Sequence, residues 1–199
     1  MMMNQVIPQR QHETKTKAFI TGSVTVFIFC FLFWELGQGG VGSHHLLAQQ
    51  SLPEISNWWG GLLLPVLTWY LVGRTEKRLG HQALQVKRWS SLRSLVLRLF
   101  ITGLVLGVLI AVSFSNGYSL FLDNVPYFIV ALSLLIPIYY AEFILGFILG
   151  MTVTFGVILP TLFILLLAGI GFLIYRFIRP MIMKLTLKLM YSLHKNPNR

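Results

Sequence analysis

The chain has 199 residues, 55% of them hydrophobic and only 11% charged, with a mean hydropathy of +0.72 and a net charge of +10. Soluble domains carry roughly 25% charged residues, so the composition excludes an ordinary water-soluble fold. The single cysteine excludes an internal disulfide and a thiolate metal cluster.

The sixteen Lys and Arg residues fall in three islands, at 10–17, 74–98 and 176–199, and none interrupts 18–73 or 99–175. A bilayer sorts charge in this way, because a cation held in hydrocarbon costs ~2.5–3.5 kcal/mol. The cations are therefore read as membrane-edge residues facing anionic lipid headgroups, and not as a nucleic-acid surface. At ~20 residues per crossing, the expected fold is all-α: a polytopic integral membrane bundle of about five apolar helices with a basic amphipathic helix at its C-terminus.

In chain order, residues 1–17 form a polar N-tail. The apolar run 18–36, which contains Cys30, exceeds the ~7–15 residues of a signal-peptide core and reads as an uncleaved first span. A loop without Lys or Arg follows, glycine-rich over 37–42 and polar to Asn57. Glu35, His44, His45 and Glu54 cluster here in sequence. Carboxylate and imidazole together suit zinc or a similar divalent metal, or proton transfer. The spacing matches no metal motif, however, and adjacent histidines in an extended segment point to opposite sides.

Residues 58–73 form a short second span containing Pro65, with Trp58, Trp59 and Trp69 as interfacial belt residues. The island that follows, 74–93, reads as a cytoplasmic loop with a surface helix over 75–89. Span three is 94–114 and carries Gly103 and Gly107 at the four-residue spacing of a helix-packing face. Residues 115–125 form a turn. The final apolar stretch divides into spans 126–149 and 155–177, with a turn near Gly150–Thr154.

Five crossings put the basic C-tail on the opposite side from the other two islands, whereas the positive-inside rule asks for an even number. A re-entrant segment is the alternative. The tail itself, 178–199, has Lys184, Lys188 and Lys195 on one helical arc and leucines on the other, the pattern of an interfacial helix.

One residue stands apart. Glu142 is the sole charged residue in 126–175, preceded by Tyr139 and Tyr140 and followed by Gly146 and Gly150 at helical spacing. An acid at membrane depth is costly and marks an ion or proton path. The expected function is a small permease or channel of the cytoplasmic (inner) membrane, or a membrane subunit of one, N-terminus inside, with Glu142, Tyr139, Tyr140 and Glu35 on the path and homo-oligomerisation or a complex partner completing it. The alternatives are an assembly subunit without chemistry and an intramembrane enzyme acting on a lipid or isoprenoid through Glu35, His44 and His45.

Overall fold

The computed structural model describes the backbone of residues 6–45, 54–83 and 89–195, and the side chains of 14–42, 56–82, 92–188 and 190. The described chain is helical apart from one ribbon. Helix α1 (Val6–Gly37) leads into strands β1 (Ser43–His45) and β2 (Glu54–Ser56), which pair antiparallel. Then come α2 (Trp58–Ala83), α3 (Trp89–Ser115), α4 (Ser119–Leu135), α5 (Ala141–Phe155) and α6 (Ile158–Leu173). A π-helical turn at Ile174–Ile178 joins α6 to α7 (Arg179–Lys195). Among the described residues, three stretches are long and apolar enough to cross a membrane: Thr14–Gly37, Leu92–Ser115 and Ile158–Lys188. Helices α4 and α5 are apolar but shorter, at 17 and 15 residues.

The elements differ from the sequence expectation at several places, and the expected turn 115–125 is shorter, because α4 already begins at Ser119. Helix α2 does not stop at residue 73: it runs unbroken to Ala83, so the first part of the expected surface helix 75–89 is a continuation of α2. No proline interrupts 74–83, and Arg78 has a buried anionic partner described below. The expected segment 126–149 is divided at 136–140. Ile136 takes φ −126° and ψ 150°, the extended conformation that a following proline, here Pro137, imposes by clashing with the preceding backbone. The next reversal lies at Gly156, whose φ of 68° suits glycine, and not at 150–154. Six helices, where about five apolar ones were expected, thus precede α7 among the described residues. Helix α7 also continues from α6 through the π turn, where a separate helix was expected.

Contacts between the helices fix their directions. Gly60 and Gly61 of α2 lie against Ile28 and Leu32 of α1, while Gly73 lies against Lys17, so these two helices are antiparallel. Gly103 and Gly107 of α3 meet Phe143 to Gly150 of α5 in ascending order, so α3 and α5 are parallel. Gly171 near the end of α6 meets Ile138 and Ser133 past and near the end of α4. One end of the bundle, hereafter the basic end, therefore gathers Lys17, Arg74, Arg78, Arg176 and Arg179. The far end holds Glu35, Asn57, Asn116 and Gly156.

Helix α5 is the axis. Its residues Glu142–Ile148, Met151 and Thr152 are buried, and it packs against α2, α3 and α6. The tightest seam is α3 with α5. A Cβ at Gly103 would overlap the carbonyl oxygen of Phe143, and one at Gly146 would overlap that of Phe100. At Gly107 and Gly150 the nearest atoms to such a Cβ are the carbonyl oxygens of Phe147 and Leu104, each at 2.5 Å. Four glycines without side chains let two backbones touch, which brings Cα–H groups onto carbonyls and maximises dispersion contact.

Candidate functional site

At the basic end, α2 and α5 place one acid and one base together. Thr75 and Arg78, three residues apart, share a face of α2, and that face meets the first turn of α5 where Glu142 projects. Glu142 is 4% exposed and Arg78 18%. Arg78 Nη2 donates to Glu142 Oε1 in a salt bridge. Thr75 Oγ1 lies 3.2 Å from Glu142 Oε2 and 3.1 Å from the Leu71 carbonyl oxygen, and its single proton serves one or the other.

The remaining face of the Arg78 guanidinium lies 3.9 Å from the centroid of the Tyr140 ring. Its Nε and Nη1 are buried without a hydrogen-bond partner among the described residues, so the ring's quadrupole is what faces the cation there. Position in the first turn of α5 also favours Glu142, because the helix dipole stabilises an anion at that end.

Tyr140 in turn edges Tyr139 at 4.9 Å, and Tyr139 contacts Phe172 at 5.2 Å and Tyr175 at 5.7 Å. Tyr139 belongs to the connection between α4 and α5. Burial first, and the adjacent Tyr140 next, push its phenol up to about 12. Other cations at this end also rest on rings: Lys17 at 4.0 Å from Trp69, Arg74 at 5.9 Å from Tyr70 and Arg179 at 4.3 Å from Tyr175.

Glu35 sits at the far end and does not join Glu142. Its carboxylate accepts from Asn57 Nδ2 at 3.1 and 3.3 Å. Asn57 N–H donates to the Gly42 carbonyl at 3.0 Å, and the Asn57 carbonyl accepts from Gly60 N–H at 2.8 Å, so this residue ties the end of α1 to the start of α2. Gly39 and Gly40, with φ of 118° and 134°, supply the backbone reversal between them. His45 pairs with Glu54 and His44 with Ile55 across the ribbon. The side chains of His44, His45 and Glu54 lie outside the described residues, and so does the zinc expectation that rests on them. Among the described residues no three His, Cys, Asp or Glu side chains gather in a way that could hold a metal.

Trp58 and Trp59 are exposed in the first turn of α2 at the far end, and Trp69 is exposed at the basic end. Lys184 and Lys188 are exposed along α7, whereas the Lys195 side chain lies outside the described residues. Arg78 and Thr75 are the participants that the sequence alone left unassigned. An acid in an otherwise uncharged stretch calls for a cation at its own depth, and the basic residues just past the second apolar run were the place to look.

Between the two ends most polar side chains turn onto their own helices; the Thr21 hydroxyl of α1 is buried without a hydrogen-bond partner among the described residues. Thr68 donates to the Leu64 carbonyl at 2.8 Å, Thr152 to Ile148 at 2.7 Å and Thr161 to Val157 at 2.6 Å. No family model matches the chain, and no curated protein or solved structure matches it either.

Proposed function

We propose that the chain is an integral protein of the cytoplasmic membrane, crossing it six times, and that it serves as a permease or channel, or as the membrane subunit of one. Three helices have the length and apolarity for crossing. Helices α2, α4 and α5 cross beside them in this reading, with α5 sheltered among its neighbours. Six crossings put 10–17, 74–98 and 176–199 on the same side, as the positive-inside rule asks. A fluorescent protein fused after Arg199, of a type that matures only in the cytoplasm, is expected to fluoresce. A dark but intact fusion would mean an odd number of crossings.

The observation that carries the functional reading is the Glu142 carboxylate, buried and held by Arg78 and Thr75 at the mouth of the bundle. A proton or cation arriving at Glu142 competes directly with Arg78, so its arrival releases α2 from α5. Ion pairs of this kind couple a ligand to helix movement. The test is cation or proton flux in vesicles carrying the purified protein. Glu142→Gln keeps an acceptor for Arg78 but cannot release a proton, and flux is expected to fall at least to about a tenth, a barrier change of ~1.4 kcal/mol. Unchanged flux with correctly folded protein would remove Glu142 from any path.

A second reading, an assembly subunit without chemistry, draws on the threonines that bond their own helices. They leave no polar column through a single described chain, so a path would need a partner chain to complete it. Recovery of a stoichiometric partner on mild solubilisation would favour that reading.

A further inference from the structure

Toward the far end, α3, α4, α5 and α6 line a half-open cavity of about 570 Å³. Ile110, Val125, Pro126, Pro160, Phe163 and Leu166 are among its walls, and no lining residue carries a hydroxyl, an amide or a charge. Leu162 and Leu166 form an exposed rim, at 56% and 66%.

The chemistry of these walls narrows the occupant. Side chains without hydrogen-bonding groups give water nothing to hold it there, and walls facing a gap lose the dispersion contact that packing would supply. A transmembrane helix also fits poorly. Membrane helices approach one another through Gly, Ala, Ser and Thr, as α3 and α5 do, and none of these four lines this cavity. Large, branched walls hold a helix backbone at a distance but admit a thin, flexible chain. The volume lies within the ~300–1,000 Å³ of pockets that hold discrete ligands.

We propose that this cavity is a binding site for one acyl chain of a phospholipid, entering over the Leu162–Leu166 rim and lying between α4 and α6. The site rests on the membrane placement proposed above, and the experiment separates the two. The full chain is reconstituted in phosphatidylcholine vesicles in which a fraction of the acyl chains carry a mid-chain diazirine. After irradiation the labelled residues are mapped by mass spectrometry.

Labelling per residue over 122–126 and 159–166 is expected to exceed that on the exposed face of α1, at Phe27 and Phe33, by roughly tenfold, equivalent to ~1.4 kcal/mol of preference over bulk lipid. Leu162→Trp combined with Leu166→Trp fills the rim, changes only exposed positions, and is expected to bring cavity labelling down to the α1 level with α1 itself unaffected. Equal labelling of cavity and α1 in the unaltered chain would overturn the site while leaving the membrane placement intact. Chain-to-chain crosslinks replacing lipid at these residues would assign the cavity to a second copy and overturn it too. Labelling of neither α1 nor the cavity would overturn the membrane placement, and the site with it.

Discussion

Replacing Gly146 by leucine is expected to lower the stability of the bundle by about 3 kcal/mol, the upper part of the usual range for overpacking. The new Cβ meets the Phe100 carbonyl oxygen and, at 2.9 Å, the Leu104 nitrogen. Both are backbone atoms, so no side-chain rotation relieves the overlap and α3 must move as a unit. Gly169 of α6 provides the control, because a Cβ there has nothing within 4 Å. Gly169→Ala is expected to be neutral or to stabilise by up to ~1 kcal/mol, since alanine restricts the unfolded backbone and favours helix. Thermal unfolding in detergent, followed by circular dichroism, measures both. Similar losses at the two positions would mean that the glycine seam does not hold α3 to α5. Gly103→Leu combined with Gly146→Leu is expected to cost less than the sum of the two, because each separates the same helix pair.

The second large effect is at the ion pair. Arg78→Leu strands the Glu142 carboxylate at 4% exposure, and removing one partner of a buried pair costs about 3–5 kcal/mol. Changing Glu142 to leucine as well is expected to restore most of that loss, because an apolar pair of similar volume avoids the desolvation penalty on both sides. The coupling between the two positions is then about 2–3 kcal/mol in a double-mutant cycle. A double variant whose loss equals the sum of the losses of Arg78→Leu and Glu142→Leu alone would show that the carboxylate gains nothing from the guanidinium. The cycle reads stability and is independent of the flux assay on Glu142→Gln.

These two sites also show what a single sequence reveals. Glu142 could be singled out because nothing charged surrounds it in sequence, and the Gly103–Gly107 and Gly146–Gly150 spacings were readable as small faces. Which face met which was not, since each spacing is equally compatible with a neighbouring chain. Arg78 was hidden by abundance: it is one of seven cations between 74 and 98, and membrane topology alone explains such a group. Its helix continues because polarity by itself does not end a helix, whereas a hydropathy reading ends a span at the first charges. The division at 136–140 was hidden for the opposite reason. Leu135, Ile136, Pro137, Ile138 and Tyr139 are almost wholly apolar, so hydropathy shows no boundary. Only Pro137 marks the place, and prolines inside membrane helices more often bend them than end them. At the far end, the Glu35–Asn57 hydrogen bonds span 22 positions, and no local pattern reports a contact of that kind.

The pairing of α3 with α5 has a consequence for the order of synthesis. Gly107 leaves the ribosome about 40 residues before Gly146, an interval of about 2–8 s at ~5–20 residues per second. Helix α4 is made in that interval and packs against both α3 and the later α6, but it is α5 that meets the glycine stripe of α3. The strongest seam in the finished protein thus joins helices that are not successive products of translation. For those seconds α3 carries a bare small-residue stripe suited to any passing helix, including an α3 from a neighbouring nascent chain. A chain cut short after Leu135 lacks the α5 backbone that covers this stripe in the finished protein, and keeps the stripe uncovered.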